Sequence, residues 1–173
     1  MSTSEGNSQS AAGRRAAEAE MRGLVAKVAP AHQRLTGTMR RWLRKRLPSA
    51  HEIVYEYSGW LVISYSPNER GYEGVLTIRV SPSGVALYFN RGKELSDPEK
   101  LLQGSGKQVR WIPVESASTL ARPTVVRLVD EAIARNPLPF AQSGRGPVVV
   151  RAAGRKTKTK AKQRQGAATR RAH

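Results

Sequence analysis

The sequence predicts an α+β fold, a two-layer sandwich in which a five-stranded, mainly antiparallel sheet is flanked by N- and C-terminal helices. Apolar residues recur at helical spacing near both ends of the ordered region, whereas β-branched and aromatic runs fill its middle. Short turn sequences separate these runs closely enough for hairpins. Sequential hairpins give antiparallel neighbours, and helices can then cover one face of the sheet.

Two helical patterns precede the strands. The first extends from about residue 11 to residue 29, and its apolar side is formed by Met21, Leu24, Val25 and Val28. The second begins at Pro30, a residue suited to a first helical turn, and ends at Pro48. Two helices joined at Pro30 and one kinked helix both fit this pattern. A last helix is predicted over residues 123–135, before Pro137.

Five β-rich runs are predicted as strands, at residues 53–57, 60–65, 75–80, 85–89 and 109–112. Ser58-Gly59 and residues 81–84 are typical of tight hairpin turns. A single helical turn capped by Asp97 is predicted over residues 98–102.

Length and charge predict one domain with two tails. The 173 residues have room for a single core, and we assign residues 1–11 to a disordered N-terminus, 12–136 to the domain and 137–173 to a disordered basic tail. The net charge is +17, and residues 141–173 carry ten of the 30 lysines and arginines but no acid. Most of the positive excess therefore belongs to the tail.

Composition also excludes several kinds of chemistry and of protein. The chain has no cysteine, so disulfides and thiolate chemistry are impossible. No apolar run approaches the roughly 18 residues that a membrane span needs. The first ten residues are polar and lack the apolar segment of a secretory signal. We expect a cytoplasmic protein without a membrane partner, and the sequence leaves its oligomeric state open.

A glycine-rich loop before the fifth strand is the predicted ligand site. Glycines let backbone N–H groups converge on an anion, and neighbouring cations add positive charge. The candidate anion-binding residues are Lys93, Gly104, Ser105, Gly106, Lys107 and Arg110. A nucleotide-binding loop is not predicted, because Leu101 and Gln108 stand where that motif needs glycine and Ser or Thr. An ordinary packing loop with solvated lysines is the alternative.

The remaining patterns predict no catalytic or metal-binding residues and no cofactor. The three histidines lack metal-ligand spacing, no nucleophile elbow occurs, and no acids pair for acid–base chemistry. Strand aromatics could form a nucleic-acid stacking platform with Arg79, Lys107 and Arg110, or could be half-buried packing; they are Tyr55, Tyr57, Trp60, Tyr65, Tyr88 and Trp111.

The tail is the second predicted binding segment. Alternating cations neutralise phosphates without reading base sequence, and such binding weakens steeply with salt. The residues expected to contact nucleic acid are Arg155, Lys156, Lys158, Lys160, Lys162 and Arg164. A solvated tail without a function is the alternative.

Three ordered segments of the middle region, residues 64–74, 87–93 and 97–110, resemble the YdhG-like family, a bacterial domain family of unknown function. The similarity covers about residues 20–136. It implies a small domain with terminal helices beside a sheet, somewhat like frataxin, and iron delivery is the family's suggested role. Frataxin-like iron binding uses acids on the first helix and the adjacent strand edge. Here residues 30–46 hold no Asp or Glu, and Glu18 and Glu20 are the only acids of the preceding helix, so no iron ligand can be assigned.

Together these observations predict non-catalytic binding of an anionic small molecule or partner by the domain, with non-specific nucleic-acid affinity from the tail. A frataxin-like intracellular iron chaperone and an unrecognised enzyme are the alternative functions. Iron enters only through the family analogy.

Overall fold

The computed structural model describes residues 9–151. Two helices, α1 (Ala11–Val25) and α2 (Pro30–Arg46), precede four strands, β1 (His51–Tyr57), β2 (Trp60–Ser66), β3 (Leu76–Ser81) and β4 (Gly84–Phe89). A loop leads to β5 (Arg110–Val114), and the short α3 (Ala117–Ala121), α4 (Pro123–Arg135) and β6 (Val148–Arg151) follow. The α+β class is confirmed, and the two N-terminal helices are separate rather than one kinked helix.

The sheet has six strands in the order β5-β4-β3-β2-β1-β6. The first five strands are antiparallel neighbours, as the hairpin pattern predicts. At the β1–β2 turn, Ser58 and Gly59 both have positive φ, 50° and 80°, which is the backbone of a type I′ hairpin. The register that follows aligns Tyr57 with Trp60 and Tyr55 with Val62.

The expected count of five strands is wrong, because β6 adds a sixth strand that pairs in parallel with β1. It lies within the range assigned to a disordered tail, so that part of the assignment is also wrong. Gly146 permits the junction: its N–H donates to the Pro48 carbonyl at 2.9 Å, and a Cβ there would lie 1.8 Å from the Ala50 carbonyl oxygen. Disorder at residues 1–8 and 152–173 stays a prediction, since these lie outside the described residues.

The helical turn predicted over residues 98–102 is a loop instead. Lys100 has a φ of +54°, which a right-handed helix does not allow. The Asp97 carboxylate still caps this segment, because it accepts from the backbone N–H groups of Leu101 and Leu102 at 2.9 Å each. Gln103 then pairs with Trp111, which turns the chain back onto β5.

One face of the sheet packs on the helices and forms the core. Its strand residues include Ile63, Ile78 and Leu87, all fully buried, and Met39, Leu43 and Leu128 reach them from α2 and α4. Each strand alternates between two faces, so every second residue points away from the helices. No helix within residues 9–151 is long and apolar enough to cross a membrane.

Candidate functional site

The sheet face that points away from the helices carries the candidate site, and we call it the open face. Cross-strand partners lie on the same face, so the aligned residues Tyr55, Val62, Arg79 and Ala86 mark its course over β1 to β4. The other aromatic strand residues on this face are Tyr57, Trp60, Tyr88 and Trp111.

An arginine is fixed between aromatic rings at the middle of the open face. The Arg79 guanidinium carbon lies 4.2 Å from the ring centroid of Trp60 and 4.8 Å from that of Tyr88. Tyr88 in turn stacks on Trp111, with ring centroids 5.9 Å apart and an interplanar angle of 20°. These distances are within the range of cation–π and stacking contacts. The four side chains therefore form one row across β2 to β5.

A groove with a volume of about 470 Å³ runs beside this row. That volume lies within the usual range for ligand sites. Tyrosines provide much of its wall, and Tyr72 and Tyr57 are the most accessible of them, with 79% and 53% of their surface exposed. Its other lining residues include Val62, Ser64, Thr77, Arg79, Asn90, Gln108 and Val109.

The open face is positively charged. No strand residue on it is an acid, and Arg79 has no carboxylate partner within salt-bridge distance in the part of the chain that the structure describes. Arg151 of β6 aligns with Tyr55 on the same face and donates to the Glu69 carbonyl. The groove thus combines aromatic rings with a cation that forms no salt bridge within residues 9–151.

The predicted anion-binding loop borders this groove. Gln108 and Val109 line the groove directly, and the Lys93 backbone N–H donates to the Gln108 carbonyl at 2.9 Å. The segments that carry Lys93 and Lys107 are therefore adjacent, as the sequence predicts. Both lysines are exposed, as are Gly104, Ser105 and Gly106.

Two members of the predicted anion site have contacts within the protein. The Arg110 guanidinium donates to the carbonyls of Gly106 and Val109 at 2.7 Å each, so the loop offers oxygen atoms to it. Gly104 has a φ of +112°, and a Cβ there would lie 3.4 Å from the Trp111 indole nitrogen. These contacts agree with the packing alternative for these two residues, whereas anion binding at the loop stays a prediction.

Five of the six aromatic strand residues lie on the open face, where a stacking platform would need them. Tyr65 is the exception, because the register puts it opposite Leu76 on the helix-covered face and it is fully buried. Successive residues of a strand point to opposite faces, so Ser64 faces the groove and Tyr65 faces the core. Tyr72 and Asn90 come from loops beside the sheet, and strand patterns gave no indication of them. The tail residues 155–164 lie outside the described residues.

A buried charge network lies under the helices, remote from the open face. The Arg40 guanidinium donates to Glu18 at 2.7 and 2.8 Å and to Glu52 at 2.6 Å. Arg44 also contacts both carboxylates, and the Tyr65 hydroxyl donates to Glu52 at 3.3 Å. The hydrogen bond from Arg40 lowers the pKa of Glu18, whereas burial and the neighbouring Glu52 raise the pKa of Tyr65.

This network has the contacts of a structural element that ties α1 and α2 to β1. Within residues 9–151, no group of three or more histidine and acidic side chains could hold a metal ion. The acids of the network are instead bonded to arginines.

We find no match to this chain among protein-family models, curated proteins or solved structures. Membership of the YdhG-like family therefore stays a prediction from the sequence.

Proposed function

We propose that this protein binds single-stranded nucleic acid along the groove of its open face and catalyses no reaction on it. The observation that carries the proposal is Arg79, a cation fixed between Trp60 and Tyr88 without an acidic partner in the described residues. A guanidinium in this setting favours a ligand that is both anionic and aromatic. Nucleotides combine a phosphate with a planar base.

The form of the site favours a single strand over a duplex. In a single strand the bases can stack on side chains, whereas a duplex hides the faces of its bases. The wall tyrosines, Tyr57 and Tyr72 above all, are accessible enough to stack on a base. Arg79 and Arg151 would meet the phosphates that follow the bases across the sheet.

The basic residues around the groove would also contact the nucleic acid. Lys93 and Lys107, on adjacent segments at its β5 end, would continue the track of positive charge along the backbone of the strand. The tail cations at residues 155–164 would add loose affinity for any nucleic acid. A cytoplasmic location, proposed from the sequence, fits this partner.

The test is fluorescence anisotropy of a labelled oligothymidylate and of a duplex of equal length, with the full chain, over a salt series. We expect tighter binding of the single strand. Tyr57→Ala should lower single-strand affinity by about fivefold or more, since stacking on one ring contributes about 1–3 kcal/mol. Its effect on the duplex should be small.

Arg46 offers a matched control for Arg79. It stacks on Trp42 at 4.3 Å on the helical side of the molecule, and unlike Arg79 it is paired with an acid, Asp130. Arg46→Gln thus removes one positive charge from a stacked arginine that lies outside the groove. Arg79→Gln should weaken single-strand binding well beyond Arg46→Gln. Replacing Lys156, Lys158, Lys160 and Lys162 by glutamine should reduce affinity for both nucleic acids and flatten the salt dependence.

Two results would overturn the proposal. One is a single strand that binds no tighter than the duplex, including no binding of either. The other is equal affinity of the Arg79→Gln and Arg46→Gln variants, which would assign binding to overall charge.

A further inference from the structure

A second cationic site lies on the helical side of the molecule, beside the buried charge network. Four arginines and one glutamate line a pocket with a volume of about 430 Å³: Arg14, Arg15, Glu18, Arg22 and Arg145. These residues come from α1 and from the loop before β6. We call this the arginine pocket, and it shares no lining residue with the groove of the open face.

The single acid of the arginine pocket is already bonded. Glu18 accepts two hydrogen bonds from Arg40, and Arg44 contacts it at 3.2 Å. Arg40 and Arg44 are matched by Glu18 and Glu52, so the network is neutral by itself. No carboxylate is left for the pocket arginines, and the described part of the chain shows no salt bridge for any of the four.

One guanidinium nitrogen of the pocket lining and one of the adjoining charge network make no hydrogen bond within the described residues. Arg14 donates through Nη2 to the Gly146 carbonyl at 2.8 Å, but its Nη1 is buried and makes no hydrogen bond within the described residues. The same holds for Nη2 of Arg44. Buried donors are normally bonded, so such atoms indicate a site where an acceptor belongs.

Electrostatics agree with this geometry. Burial lowers the pKa of Arg14, and the nearby positive charges of Arg145 and Arg44 lower it further. Like charges held together repel unless an anion lies between them. Since the charge of Glu18 is matched within the network, the positive charges of the four lining arginines are left without a counter-charge in the described residues.

We propose that the arginine pocket binds a phosphate-class oxyanion, either inorganic phosphate or the phosphate of a phosphomonoester. Phosphate carries more than one negative charge near neutral pH and offers several acceptor oxygens, and guanidinium groups bind such an anion through paired hydrogen bonds. A monoanionic carboxylate would neutralise less of the lining. The site is independent of nucleic-acid binding at the open face.

The test is isothermal titration of the full chain with inorganic phosphate and, separately, with phenyl phosphate, at constant ionic strength set by sodium chloride. We expect saturable binding of at least one of them. Tighter binding of phenyl phosphate would identify a phosphorylated molecule as the ligand, and equal or weaker binding would identify the free anion; both results support the site.

Arg22 and Arg145 are the residues to change. The Arg22 side chain makes no hydrogen bond in the described part of the chain, and its backbone carbonyl, which accepts from the Ala26 N–H at 2.9 Å, is unchanged in the variant. Arg22→Gln should therefore keep the fold while it weakens binding at least about fivefold. Arg145→Gln should act likewise. Arg46→Gln, which removes an arginine paired with Asp130, is the control and should bind as the unchanged protein does. Absence of saturable binding, or equal weakening by Arg46→Gln, would overturn the proposal.

Discussion

Replacing Glu52 by glutamine should destabilise the protein strongly while it preserves the shape of the side chain. Glu52 is only 2% exposed and accepts hydrogen bonds from Arg40 at 2.6 Å and from the Tyr65 hydroxyl at 3.3 Å. It also forms an ion pair with Arg44 at 2.8 Å. Without its charge, two arginines would share Glu18 alone. Removing one partner from a buried charge network typically costs about 3–5 kcal/mol.

The expected loss lies at the lower end of that range. The side chains of Arg40 and Arg44 are 15% and 23% exposed to solvent, so water can solvate part of the uncompensated charge. Glutamine also retains one acceptor oxygen. We therefore expect about 3 kcal/mol, which for a urea m-value of about 2 kcal/mol/M is a midpoint lowered by about 1.5 M.

Glu56 supplies the control on the same strand and the same face. It pairs with Lys27 at 3.2 Å, but the two side chains are 41% and 62% exposed. Exposed pairs contribute about 0–1 kcal/mol, so Glu56→Gln should hardly move the urea midpoint. If the two variants unfold within about 1 kcal/mol of one another, burial does not govern how much the network contributes to the free energy of unfolding.

Three further predictions concern stability. The hydrogen bond from Arg40 lowers the folded-state pKa of Glu18, so the stabilisation by the ionised carboxylate should be complete above the ordinary pKa of 4.5 and disappear as the pH falls through the folded-state pKa. In urea titrations, the difference in unfolding free energy between the unchanged protein and Glu18→Gln should therefore shrink at low pH. A difference that stays constant with pH would contradict this. Gly146→Ala should lose about 2 kcal/mol or more, because the added Cβ would overlap the Ala50 carbonyl oxygen, and an unchanged melting temperature would count against the β6 junction. Gly23→Ala in α1 meets nothing within 4 Å, so it should raise stability by about 0.5–1 kcal/mol, and a lower melting temperature would show a conflict at that position.

The local patterns predicted most elements well, because their causes are local. Helical spacing and the prolines at residues 30 and 123 mark the beginnings of α2 and α4. Ser58-Gly59 fixes the first hairpin, and its register follows from the turn. The helical turn predicted over residues 98–102 is wrong because Asp97 can cap a loop as well as a helix. The pairing of Gln103 with Trp111 decides in favour of the loop.

In the candidate site, too, the sequence predicted local features, whereas contacts between distant residues needed the structure. The sequence pattern placed the aromatic residues on strands and left open whether they stack on a ligand or pack. Only the register of the sheet shows that Tyr65 lies on the face that the helices cover. The contact of Arg79 with Trp60 and Tyr88 joins three strands, and Tyr72 reaches the groove from a loop. Such juxtapositions depend on packing rather than on spacing.

By itself, the sequence determined the α+β class, the three long helices, the hairpins and the concentration of positive charge near the C-terminus, whereas the short α3 had no sequence prediction. Each of these follows from interactions between residues close in the chain or from composition alone. Only the tertiary structure decided that β6 pairs with β1, that Arg79 lies between Trp60 and Tyr88, and that four arginines line one pocket. Those features join residues that are distant in sequence, and their energies depend on burial and on distances that only the folded chain defines.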